Sequence, residues 1–192
     1  MANSSKNKKL NRDDWVLAAF TTLSESGVNA VRVEVLAKLL GVTKGSFYWH
    51  FKSRQELLAA ILEKWRVEQR VIERVEVLGG DAKTKMINLL DSVPRTAPRN
   101  NSGATELAVR SWAKNDELAA KTLAQVDKDR IEWVKKHFVQ MGYDDQQAES
   151  RAFLTYGYIM VQGIFSIENM PGILERIHAD TLGLLFSDAP KV

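Results

Sequence analysis

The stretch that most limits what this chain can fold into is residues 33–58, VEVLAKLLGVTKGSFYWHFKSRQELL. Val33, Leu36, Leu39 and Leu40 recur at helical spacing, which gives a short first helix one apolar face. Gly41 follows at once, where a left-handed residue would stop the helix and reverse the chain. Thr43 is placed to cap a second helix by accepting from a backbone N–H. That helix, residues 44–50, is too short to persist alone in water. Packing must hold it, and Val42, Phe47 and Phe51 are the side chains placed to do so. Lys44, Ser46, Tyr48, Trp49 and His50 are left for its outer face. Two helices, a tight glycine turn and a polar second helix describe a helix-turn-helix, whose second helix enters the major groove of DNA.

The segment GVTKGSFYWHFKSRQELL resembles the signature of the TetR family of transcriptional regulators, with its Gly-Val-Thr turn, Tyr-x-His-Phe end and following capped helix. The resemblance covers roughly residues 11–65. It implies an all-α fold of about nine helices, with an N-terminal three-helix helix-turn-helix DNA-binding domain and a helical C-terminal ligand-binding and dimerisation domain. The head would be residues 1–52, opening with a basic arm at 1–10. The body would be residues 53–192, with the helix over 53–78 as connector. The resemblance assigns Thr43, Tyr48 and Lys52 to phosphates, which position a protein without reading sequence. Lys44, Ser46, Trp49 and His50 are the candidates for base edges, and at Gly45 the bare backbone could approach the DNA closely. Trp49 is too large for a bidentate hydrogen bond and suits a thymine methyl or the sugar–phosphate edge. His50 either faces DNA or is half-buried and fixes the next helix. Arg32 stands where the family often has Ser or Thr, so a hydroxyl cap is lost; Arg32 either reaches a phosphate or is simply solvated.

Charge is distributed in keeping with that division. Of a net +3, residues 1–55 carry nine Lys/Arg against four Asp/Glu, or +5, which leaves −2 on the remainder. A basic head on a slightly acidic body suggests a polyanion partner for the head alone. There are no cysteines, which excludes disulfides, thiolate catalysis and cysteine-ligated metal. The three histidines, 50, 137 and 178, show no H-x₃-H spacing, and HExxH, P-loop and G-x-S-x-G motifs are absent. No catalytic residue, metal or cofactor is therefore expected. The N-terminus, MANSSKNKKLNRDDW, has no apolar h-region. No apolar run approaches the ~20 residues a membrane helix needs. The expectation is a soluble, cytoplasmic protein that is not an enzyme and has no membrane partner.

Elsewhere the periodicity is helical throughout. A helix over 12–26 carries the stripe Val16, Ala19, Phe20 and Leu23 and ends at Gly27. The connector opens with Ser53 and Glu56 as a capping box and continues through Leu57, Leu58, Ile61, Leu62 and Trp65. Further helices are expected over 83–93, 104–113 (after a loop at 94–103), 116–141, 144–169 and 173–186. In the arm, Lys6, Lys8 and Lys9 are either solvated or add phosphate or minor-groove contacts.

Residues 153–167, FLTYGYIMVQGIFSI, are apolar nearly all round, which means burial on more than one side. Gly157 and Gly163 would let another helix approach closely. The cover is either the body's own core or, as the resemblance implies, a second copy in a four-helix homodimer interface formed by Tyr158, Val161, Gln162, Phe165, Leu182 and Leu185. Two recognition helices ~34 Å apart would read a palindromic operator in double-stranded DNA. Met86, Arg110, Trp112, Trp133, His137, Phe153 and Tyr156 are either core or, on the resemblance, lining for an unidentified small-molecule effector. Such a pocket is mostly apolar with a few polar anchors, and Arg110, His137 and Tyr156 are the candidate anchors. The function implied is a homodimeric repressor released from its operator by a small molecule. The alternatives are a constitutive DNA-binding protein with a filled body, and a helical carrier or enzyme whose basic head is incidental.

Overall fold

The computed structural model describes residues 10–68, 71–92, 102–164 and 172–187, and every regular element among them is helical. The helices are α1 (Arg12–Ser26), α2 (Val33–Leu39), α3 (Lys44–Tyr48), α4 (Arg54–Glu68), α5 (Val71–Leu78), α6 (Ala82–Asp91), α7 (Ser102–Ala113), α8 (Glu117–Gln140), α9 (Asp145–Ile164) and α10 (Ile173–Leu185), with a 3-10 turn at Val28–Ala30. Counting α4 and α5 as the two described parts of the expected connector gives the nine helices that the sequence implied. The loop expected at 94–103 is shorter at its end, because Ser102 and Gly103 already belong to α7. The arm lysines 6, 8 and 9, together with Phe165, lie outside the described residues.

The head is built from local signals that agree with one another. Asn11 accepts from the Asp14 N–H at 2.9 Å, and Asp14 accepts from the Asn11 N–H at 2.8 Å, a reciprocal cap that starts α1. After α2, the Val42 N–H reaches the Ala37 carbonyl at 2.9 Å and the Gly41 N–H reaches Lys38 at 3.2 Å. This pair of bonds requires Gly41 in the left-handed region, and its φ is +68°. Phe47 and Phe51 stack at 5.4 Å, and Trp15 meets the edge of Phe47 at 5.3 Å. All three rings are buried, so the five-residue α3 is fastened through its one inward side chain.

Two expectations fail here. Leu39 is 63% exposed, and Ala37 takes its place in the core beside Val33 and Leu36. Thr43 sits at the N-cap of α3 with extended backbone, yet its hydroxyl accepts nothing from the helix. The Ser46 N–H closes onto the Thr43 carbonyl at 3.0 Å instead.

One apolar cluster joins α1, α2, α3 and α4 to Val109 and Trp112 of α7 and to Ala119 and Val126 of α8. A second gathers Val75, Met86, Leu89, Leu90, Val134, Phe138, Tyr143, Ala148, Ala152 and Leu185 from α5, α6, α8, α9 and α10. The long helix α8 contributes to both. Helix α1 lies against α7, where Ser24 and Thr105 share a hydroxyl–hydroxyl hydrogen bond.

Candidate nucleic-acid interface

The turn and α3 present one face outward. Tyr48 is 63% and Trp49 is 88% exposed. Leaving two such rings in water is unfavourable unless something covers them. α3 ends at Tyr48, two residues before the expected end, and Trp49 is its C-cap. Thr43, Lys44, Gly45 and Lys52 are exposed, while Ser46 and His50 are half-buried. A Cβ on Gly45 would meet only the Thr43 hydroxyl, at 3.6 Å, so the outer side of the backbone there is open. Arg32 is exposed at the start of α2 and makes no side-chain cap, in keeping with the missing hydroxyl. All nine sequence-derived candidates thus fall on or beside the helix-turn-helix.

Three residues outside that set organise the surface. Lys44 Nζ lies 2.7 Å from Glu34 Oε1 on α2. This hydrogen bond holds the Glu34 carboxyl below the usual carboxylate range. Arg12 sits 4.6 Å over the Phe51 ring and 4.0 Å from Glu56. Arg54, the first residue of α4, donates from Nε to the Val31 carbonyl at 2.6 Å and from Nη2 to Val28 at 2.8 Å. The connector is thereby tied to the loop between α1 and α2. The start of α4 is capped nearly as expected: Ser53 Oγ accepts the Glu56 N–H at 3.2 Å, while the Glu56 carboxylate takes the N–H of Lys52, not that of Ser53.

In the body, two of the candidate effector residues come together. Arg110 pairs with Asp127 through two bonds of 3.0 and 2.7 Å, and its Nη2 reaches the Tyr156 hydroxyl at 2.8 Å. Tyr156 donates to Asp127 at 2.5 Å and accepts from Arg130 at 3.0 Å. Glu106 lies 2.8 Å from Arg110 and 3.5 Å from Arg130. Burial raises the Tyr156 pKa to about 12 despite the opposing charge of Arg130. Burial works against the Arg110 charge, but Asp127 and Glu106 outweigh it and raise its pKa. The Arg130 guanidinium also faces the Trp65 ring of α4, at 5.8 Å. Four helices therefore meet at one charge-balanced knot.

The other candidates lie elsewhere. Met86 is in the second apolar cluster and Trp112 in the first. The rings of Trp133 and His137 lie 3.9 Å apart, tilted by 35°, and Trp133 Nε1 donates to Glu76 of α5 at 2.8 Å. Lys85 of α6 binds the same carboxylate at 2.5 Å, and these two donors hold the Glu76 pKa down. Phe153 is 69% exposed and lines no interior, because it stands on the opposite side of α9 from Ala152 and Thr155. The two grooves nearest α4, about 470 and 380 Å³, are open. Arg12, Val16 and Lys64 line the first; Leu62, Leu118 and Gln125 line the second; neither reaches the knot.

Among the dimer candidates, Val161 is exposed and Tyr158, Gln162 and Leu182 are half-buried. Tyr158 is engaged with His178 at 3.1 Å, and His178 with Asp91 at 3.0 Å. Leu185 leaves the set: it is 4% exposed, enclosed in the chain's own second cluster. Phe153, Leu154 and Val161 of α9 and Ile177 and Leu184 of α10 are exposed instead. Gly157, between the first three, has nothing within 4 Å of where a Cβ would stand, so no helix among the described residues approaches it.

The description of bacterial regulatory proteins of the tetR family matches residues 16–61, which span α1 through most of α4. The helix-turn-helix region of this chain, residues 16–61, is that of the tetR family. AcrR of Shigella flexneri, a helix-turn-helix transcriptional regulator, is 31% identical over 78 residues, which are 40% of this chain and 35% of that protein. The chain spans between a third and about half of the length of the curated relatives it matches first. The whole fold, head and body, recurs in a transcriptional regulator from Rhodococcus sp. Rha1. That structure has a TM-score of 0.76 and 20% identity, over 95% of this chain and all of the other. AibR, solved in complex with isovaleryl coenzyme A and operator DNA, superposes with a TM-score of 0.68 at 19% identity, over 91% of this chain and 97% of that one.

Proposed function

We propose that this chain is a homodimeric, sequence-specific DNA-binding transcriptional repressor whose operator affinity is lowered by a small molecule. The observation that carries the reading is the outer face of the helix-turn-helix. α3 is pinned inward by Phe47 alone and offers Lys44, Tyr48 and Trp49 to solvent. The Thr43 hydroxyl, left without a capping partner, is free to donate to a phosphate. The exposed stripe of Phe153, Leu154, Val161, Ile177 and Leu184 supports dimerisation, since an apolar face of this kind is covered in a stable protein. AibR, with its acyl-coenzyme A and operator, supports both a ligand and a duplex partner. The site proposed for the effector is the junction of α4, α7, α8 and α9 around Arg110 and Tyr156. The cytoplasm is the compartment that this role requires.

A second reading, constitutive DNA binding with a structural body, is favoured by one fact. Arg110 is already bound up with Asp127, and neither of these grooves along α4 includes either residue. Selection of bound sequences from a random duplex pool tests the main reading. A palindrome of two half-sites is expected; uniform, salt-sensitive retention of all sequences would refute it.

A further inference from the structure

Lys44 is the first residue of α3, where the positive end of the helix disfavours a cation. It is nevertheless directed, through its bond to Glu34 in the first turn of α2, onto the same outward surface. Both side chains are more than half exposed, at 58% and 59%, so water and DNA reach the pair freely. An exposed pair of this kind adds little to stability. Its effect on recognition is larger. A phosphate approaching Lys44 also meets the Glu34 carboxylate, a like charge bonded to the same ammonium. A base edge carries no net charge and meets no such repulsion. In the major groove a G·C pair sets the O6 and N7 acceptors of guanine beside the N4 donor of cytosine. An ammonium next to a carboxylate is the complement of that edge, and residues at the start of a recognition helix are the ones that reach it.

We propose that Glu34 is a specificity residue that acts with Lys44 to select a G·C base pair and to keep Lys44 off the phosphate backbone. This rests on the DNA-binding function proposed above. The duplex selection is run with the full-length wild type, E34Q and K44M, and each protein is then titrated on the wild-type site and on a shuffled duplex across a salt series. For wild type a fixed G·C pair is expected at one position of each half-site. E34Q loses that preference, and K44M loses it at the same position. E34Q also binds the shuffled duplex several-fold more tightly, with a salt dependence steeper by about one phosphate contact. Failure of the wild type to enrich any site would remove the DNA-binding reading, and this proposal with it. A wild-type site whose profile E34Q leaves intact would overturn this proposal alone. In that case Glu34 is a clasp between α2 and α3, and E34Q would lower only the melting temperature.

Discussion

Arg54 makes the most exposed wager on this structure, because a single side chain carries the bond between the head loop and the connector. Replacing it with Met keeps most of the stem and removes both donors, which takes the Arg54 bond from the Val31 carbonyl and leaves the Val28 carbonyl with the Val31 N–H alone, at 3.2 Å. Hydrogen bonds to a charged donor contribute about 1.5–3 kcal/mol each. The side chain is half-buried, so water recovers part of that loss at one carbonyl. We expect R54M to lose about 2–3 kcal/mol in total. R54K, whose single ammonium cannot span two carbonyls in the fork geometry of a guanidinium, should lose about half as much. Urea unfolding followed by circular dichroism measures this, with an unchanged m-value showing that the denatured state is the same. Operator affinity should fall in the same order, because the loop leads directly into α2. A loss below about 0.5 kcal/mol for R54M, or equality of R54K with wild type, would refute the reasoning.

Gly41→Ala should cost about 1–2 kcal/mol by equilibrium unfolding, all of it from the +68° φ, since a Cβ there meets nothing within 4 Å. Leu184→Asp and Leu185→Ala should separate the proposed assembly from folding. The first, at a residue 74% exposed, should shift the proposed dimer to protomer in sedimentation at little cost to protomer stability. The second, at a buried neighbour, costs about 2–5 kcal/mol in unfolding. Tyr156, with its folded pKa raised to about 12, binds its proton more tightly in the folded chain than in the unfolded one. Its contribution is therefore intact below about pH 10 and is lost as pH rises toward 12, by about 1–2 kcal/mol once partial exposure is allowed for. Y156F should lack this component of the alkaline loss when the two proteins are unfolded side by side.

What could be read from the sequence was whatever depends on near neighbours. Gly41 and Gly27 stop helices at the residues where the spacing places the stops, whereas the caps Asn11, Asp81 and Asp116 of α1, α6 and α8 appear only in the structure. Periodicity was less reliable in α2, whose seven residues make only about two turns and define the apolar arc poorly; Leu39 and Ala37 exchanged places for that reason. Trp15 was missed beside the stripe of Val16, Ala19 and Leu23, although it lies four residues before Ala19 and is fully buried against Phe47. Long-range polar bonds left no local trace. Arg54 is 23 and 26 residues from its two carbonyls, and Arg110 is 46 from Tyr156. Arg110 and Tyr156 could be named as polar residues in an apolar body, but Glu106, Asp127 and Arg130 look from sequence like ordinary charges on helix faces.

The connector is held at three heights, and their chemistry differs in a way that bears on how a ligand would act. At the top Arg54 grips backbone carbonyls, a contact indifferent to the body's state. At the bottom Glu76 is clamped by Trp133 and Lys85. In the middle, α4 meets the knot through Trp65, whose ring faces Arg130 while its buried Nε1 has no hydrogen-bond partner among the described residues. That middle contact is the one that a ligand at the knot would reach. A ligand drawing Arg110 or Arg130 away from Asp127 and Tyr156 would alter what Trp65 rests on without breaking the Arg54 bonds, and α4 would answer by tilting about its fixed start. R130M tests this: it removes the cation beside Trp65 and leaves the DNA face untouched. Operator affinity in the absence of ligand should then shift, since the equilibrium between the two connector positions would no longer be set by the knot. If R130M binds operator as wild type does and responds to ligand undiminished, the connector is governed from its ends.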